Sequence, residues 1–137
     1  HFKDFEVSYD NRVFRKIEDS LKRYDMMDRV CVFTSGISVL KKMSRYHFRR
    51  GFLMSYTTRA QRRHAVKIAA RYGCELVIMK YTDRMPVDIG ITRYAHDHGL
   101  RIGCYNINRT DQLHRVIRSG LDYWILNRAL IPGRKDR

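Results

Sequence analysis

One local arrangement recurs along this chain: an amphipathic segment closed by a glycine and followed at once by a short apolar run, at Gly73, Gly99 and Gly120. A glycine just past the last turn takes the left-handed conformation that ends a helix. An unbroken apolar run of strand length reads as a strand buried on both faces. The clearest instance runs from Ile102 to Leu126, where "IGCYNI" gives way to a segment with Leu113, Val116 and Ile117 at helical spacing, and Gly120 then releases "YWIL". That connection is too long for a hairpin and suits a parallel crossover, so the unit is βαβ with its helix outside a sheet. Folds of this kind keep their chemistry at the carboxyl ends of the strands.

The same reading extends to the whole chain. Phe5 to Tyr9 is a short strand, and Asp10 or Asn11 caps a helix running to about Tyr24, with Val13, Phe14, Ile17 and Leu21 on one face. "VCVFTS" is a strand, a helix follows near Ile37 to Tyr46, and "GFLMSY" from Gly51 is the next strand. Thr57 or Thr58 caps a helix ending at Gly73, "ELVIMKY" from Glu75 is a strand, and Asp83 and Pro86 open a helix that stops at Gly99. The total is six strands and five helices, an α/β chain of parallel βα repeats. No Pro- or Ser-rich linker interrupts it, so residues 1–131 form one domain and 132–137 a basic tail.

Charge narrows the partners. Lys and Arg number 28 against 14 Asp and Glu, a formal net charge of +14, which points to nucleic acid or an anionic surface. The segment "TTRAQRRHAVKIAARYG" carries Arg59, Arg62, Arg63, Lys67 and Arg71 with no acid among them. Ala65, Ile68, Ala69 and Tyr72 face the sheet, while Arg59, Arg63 and Lys67 line a stripe toward solvent. With Arg49, Arg50, Arg115 and Arg118, these cations form a dispersed candidate surface for RNA or another polyanion, held through phosphates with little sequence discrimination. The plain alternative is a solvated basic exterior. No RNP, KH or zinc-finger pattern appears.

Cys31, Cys74 and Cys104 are odd in number, lie in or beside apolar runs and include no C-x-x-C pair. They read as buried, reduced thiols, which places the protein in a reducing intracellular compartment, the mitochondrion and other organelles included. No apolar run reaches the roughly 18 residues a membrane span needs. The first residue is His1, so an upstream segment, a targeting segment included, is compatible with the sequence.

The expected strand ends carry Ser8, Thr34, Ser35, Ser55, Tyr56, Lys80, Tyr81, Tyr105, Asn106 and Asn127, with Glu6 and Asp83 as the nearby acids and no histidine. His96 and His98 lie two apart on a helix and point away from each other. Two isolated acids on separate strands make a poor divalent-cation site.

The stretch "ITRYAHDHGLRIGCYNINRTDQLHRVIRSGLDYWILNRA" resembles the carboxyl-terminal signature of the glycerophosphodiester phosphodiesterases, TIM barrels in which "AH..GL.V..WTVN" is followed by a helix and then "GVDGIITDRP". "YDMMDRVCVFTSGISVLKKM" and "FEVS" are similar to earlier segments of that family. The resemblance implies the later part of an incomplete TIM barrel. It places Tyr105 and Asn106 at the family's Trp and Thr, and Asn108 on its Asn; Asn127 falls where the family has a carboxylate. Glu6 falls on the glutamate of the family's "IEIK" strand and Ser8 on its lysine. The family's His-Arg-Gly and Glu-x-Asp motifs lie on strands before these residues.

Two functions are therefore expected. The first is a non-catalytic, glycerophosphodiesterase-like domain without cofactor, acting as a structural or RNA-contacting component of a larger assembly such as an organellar ribosome. The alternative implied by the resemblance is the carboxyl-terminal portion of an active phosphodiesterase. It would use magnesium or calcium, with Glu6 as metal ligand and Tyr105 facing substrate, and release glycerol phosphate and an alcohol. In either case an incomplete barrel leaves sheet edges for other chains to cover.

Overall fold

The computed structural model describes residues 11–55 and 58–126. Helices and strands alternate as α1 (Asn11–Arg23), β1 (Cys31–Thr34), α2 (Ile37–Met43), β2 (Arg49–Met54), α3 (Arg59–Arg71), β3 (Leu76–Lys80), α4 (Ile89–Asp97), β4 (Arg101–Ile107), α5 (Thr110–Arg118) and β5 (Tyr123–Leu126). All neighbouring strands pair in parallel and spatial order equals chain order, β1-β2-β3-β4-β5. The sheet curls with its helices outside, a partial TIM-barrel-like βα fold. The expected five helices are present and five strands are described. The expected strand at Phe5 to Tyr9, the tail 132–137, and Glu6, Ser8, Tyr56 and Asn127 lie outside the described residues.

Local chemistry sets the boundaries. Gly73, Gly99 and Gly120 all have φ between 65° and 72°, the left-handed stop that the repeat required. Thr58 caps α3, its hydroxyl accepting from the Gln61 amide while the Gln61 side chain turns back to Thr58. One boundary differs from expectation. The helix expected to open at Asp83 and Pro86 begins at Ile89, because Asp88 is the residue whose carboxylate accepts from an orphan amide, Ile91 N at 2.9 Å. The preceding segment is a turn held by Thr82, whose hydroxyl accepts from the Met85 amide at 3.1 Å.

The main core lies between sheet and helices, with Phe52, Met54, Val77, Met79, Ile102 and Cys104 meeting Ala65, Val66, Ala69, Ile91, Ala95 and Val116. A second cluster joins Phe14, Val39, Met43 and Phe48, with Tyr46 stacked on Phe48 at 6.0 Å between ring centroids. It anchors α1, where Glu18 also accepts from the His47 amide at 2.6 Å. Leu113 and Val116 bury the inner side of α5, but Ile117, expected on that side, is exposed. Cys74 and Cys104 are buried and Cys31 only half-buried; burial pushes the Cys74 and Cys104 thiols up to about 12.

Alternation sends Gly51, Leu53, Leu76, Ile78, Gly103, Tyr105 and Tyr123 to the concave face, away from the helices. β1 and β5 end the described sheet, and on β5 Tyr123, Trp124 and Ile125 are exposed. These edges are compatible with cover by other chains. No helix among the described residues is long and apolar enough to cross a membrane.

At the amino end of β4, Asp122 accepts from the Ile102 amide at 2.7 Å and contacts His96 Nε2 at 2.9 Å, tying α4 to the sheet. Burial pushes its carboxyl up, but the Ile102 amide and His96 outweigh burial and hold it below its ordinary value of 3.8. A depressed carboxylate stabilises the fold above its unfolded pKa and loses that contribution as pH falls through the folded value. Asp122→Ala is therefore expected to remove about 1 to 2 kcal/mol at pH 7. Acid titration of urea midpoints should show the deficit of the variant shrinking below pH 3.8.

Candidate functional site

The carboxyl ends of the strands form one rim. At the end of β1, Thr34 is buried and its hydroxyl accepts from the Gly36 amide at 3.1 Å. After β2, Ser55 reaches across β3 to the Tyr105 hydroxyl on β4, 3.2 Å away. After β3, Tyr81 turns into the core, 1% exposed, its hydroxyl without a hydrogen-bond partner among the described residues. Near the end of β4, Asn106 takes a left-handed φ of 73° within an irregularity of the β4-β5 register, and Asn108 follows the strand, its side chain donating to the Asn106 carbonyl at 3.4 Å. Tyr105 and Asn108 thus share the rim; Glu6 lies outside the described residues.

Every acid described on this rim is engaged. Asp83 accepts a two-pronged contact from Arg109, at 3.2 and 3.3 Å, and a further bond from Gln112 at 3.2 Å. Arg109 also grips Asp111, Nε to Oδ1 at 2.9 Å, and Arg115 reaches the same carboxylate at 3.3 Å. Gln112 is buried; its side-chain oxygen accepts from the Asn108 and Arg109 amides and fixes the start of α5. Hydrogen bonds from Arg109 and Gln112 hold the Asp83 carboxyl below the usual carboxylate range, Arg109 does the same for Asp111, and Asp111 followed by Asp83 raises the Arg109 guanidinium. Asp88 is occupied as the α4 cap. A carboxylate this well supplied with donors is a poor proton acceptor.

Glu6, the residue that the resemblance implies as a ligand for a divalent cation, lies outside the described residues. Asp83, the one expected partner of Glu6 that is described, directs its oxygens at Arg109 and Gln112. Among the described residues no three His, Cys, Asp or Glu side chains converge as ligands. No histidine lies in the rim loops described; His96 pairs with Asp122 at the opposite end, and His98 contacts the Tyr94 carbonyl.

The basic candidates divide into exposed and committed groups. Arg59, Arg63, Lys67 and Arg71 lie exposed along α3, and Arg118 is exposed on α5, none with an ion-pair partner among the described residues. Arg49 is held by Glu75 at 2.8 Å, Arg115 by Asp111, and Arg50 is half-buried with its guanidinium on the Tyr46, Phe48 and Tyr72 carbonyls. Arg62 is a correction: expected on the polyanion surface, it is 2% exposed. Its guanidinium donates to the Lys80, Met85 and Pro86 carbonyls at 2.7 to 2.9 Å, inside the helix-sheet layer. The helical spacing held the signal, since Arg62 stands three, four and seven residues before Ala65, Val66 and Ala69, all buried. Tyr94 and His98, which pack beside the basic stripe, carried no such pattern.

Comparison with protein-family models and with curated proteins returns no match. Among solved structures, a protein named as a glycerophosphoryl diester phosphodiesterase from Silicibacter pomeroyi superposes with a TM-score of 0.69 at 18% identity, over 85% of this chain and 40% of that one. Another so named, from Agrobacterium tumefaciens, gives 0.69 at 17% identity, over 89% of this chain and 49% of that one. The chain spans less than half the length of either protein. What is shared is the fold: this chain has the architecture of part of such a barrel.

Proposed function

We propose that this chain is a non-catalytic, glycerophosphodiesterase-like partial barrel that serves as a structural component of a larger ribonucleoprotein assembly and contacts RNA or a similar polyanion through its outer helices. One observation carries the reading. The described rim acids are neutralised by internal arginine and glutamine contacts, while Arg59, Arg63, Lys67 and Arg71 of α3 face outward with no described acid paired to them. A catalytic rim needs the reverse, an acid and a base with room to exchange protons beside a charge clamp. A surface that holds phosphates needs exposed cations and nothing more. The fold supplies rigidity, and the strands ending the sheet supply attachment to neighbouring chains.

Binding of a generic RNA to the full chain, measured between 50 and 200 mM salt, tests the reading. With Arg59, Arg63, Lys67 and Arg71 on phosphates, the slope of log affinity against log salt should be about −3, a loss of about 50-fold across that range. A flat response overturns polyanion binding. Release of glycerol phosphate from a glycerophosphodiester by the same protein with magnesium or calcium overturns the non-catalytic half.

A further inference from the structure

α3 and α4 pack side by side, and their facing rows repeat at each helical turn. From α3 come Arg59 and Arg63, both exposed, against Gly90 and Tyr94 of α4; exposed Lys67 and His98 follow four residues further along their helices. The Arg63 guanidinium lies over the Tyr94 ring, 4.9 Å from its centroid, and the Tyr94 and His98 rings are 4.4 Å apart at 47°. The order is cation, phenol, imidazole. His98 Nδ1 is 2.8 Å from the Tyr94 carbonyl, which only accepts, so Nδ1 carries the proton and the ring is held in place. Gly90 makes room for Arg59, since a Cβ there would stand 3.0 Å from Arg59 Nη2.

We propose that the Arg63–Tyr94–His98 stack, flanked by Arg59 and Lys67, binds an unpaired stretch of RNA, with a base stacked on the exposed His98 ring and the adjoining phosphates on the cations. This rests on the polyanion reading above and sharpens it. A stripe of cations alone holds duplex and single strand by their phosphates without distinction. A pinned, exposed aromatic ring beside the stripe adds a surface that only an unstacked base can use, and guanidinium planes stack on bases in the same way. Two acids are near: Asp88, engaged in capping α4, and Asp97, exposed at its end. Insertion into an anionic lipid surface lacks an anchor, because the exposed side of α3 carries nothing more apolar than Ala60.

The test is fluorescence anisotropy on the full chain, with a labelled single strand of about twelve nucleotides and a duplex of the same length at low salt. The single strand should bind more tightly. His98→Ala and Tyr94→Leu should each weaken it by about tenfold and leave the duplex unchanged, with Tyr94→Phe behaving as wild type. A photoactivated 4-thiouridine strand should crosslink to Tyr94 or His98. If His98→Ala and Tyr94→Leu, both folded by circular dichroism, leave single strand and duplex equally affected or equally unaffected, the stack is overturned and the polyanion reading survives. If the wild type binds neither nucleic acid, or binds only anionic phosphatidylglycerol vesicles, both fall.

Discussion

Arg62→Leu is expected to remove about 3 kcal/mol of folding stability, more than a surface arginine would. The guanidinium sits in the helix-sheet layer and donates to three carbonyls of the segment after β3, Lys80, Met85 and Pro86. No described carboxylate bonds to it; burial lowers its pKa, and the charge of Asp88 opposes that shift. Leucine is similar in apolar bulk but takes the arginine donor from all three carbonyls, leaving Met85 only the Thr82 hydroxyl at 3.4 Å, at about 1 to 3 kcal/mol for each unsatisfied acceptor before water recovers part. The loop also presents Asp83 to Arg109, so loosening it disorders the rim network. Urea denaturation with a fixed m-value measures the loss. A change under about 1 kcal/mol would show that the carbonyls find water, and that the clamp is dispensable.

The second large effect is expected at Gly103→Val, again about 3 kcal/mol. A Cβ at Gly103 would lie 3.2 Å from both Cβ and the carbonyl oxygen of Tyr123 on the adjacent strand. These atoms belong to a paired backbone and to the root of a side chain, so rotamer change does not relieve the crowding. β5 must shift or detach. Because Trp124 on β5 is the sole tryptophan, its emission reports that shift directly. Gly103→Ala should show the same signature at about one third of the loss. Unchanged tryptophan emission and unchanged stability in the valine variant would contradict the close β4-β5 approach.

Alternation of helix and strand was legible because apolar period marks the segments, a glycine with positive φ closes α3, α4 and α5, and a capping threonine opens α3. The sequence opens this helix at Asp83 and Pro86, because periodicity alone is blind to which carboxylate meets an amide, and that carboxylate is Asp88. The resemblance named the fold correctly, and the strand reading put Tyr105 at a strand end, where it lies. It was silent on the Asp83–Arg109–Asp111–Arg115 chain, because these residues come from the β3-α4 connection and from around the start of α5 and meet only in space. Arg62 shows the opposite failure. Its residue type points to the surface, yet a long side chain whose neighbours on its face are Ala65, Val66 and Ala69 has room to lie inward.

Strand order that coincides with chain order has a consequence for how the molecule is put together. Every described backbone ladder joins strands that are consecutive along the polypeptide, and among the described strands no later one is inserted between two earlier ones. Docking can thus proceed in the direction of synthesis, each new βα unit finding a finished edge to add to. Growth of this kind has no internal terminus. It stops only when the ring closes or when a different polypeptide occupies the last open ladder.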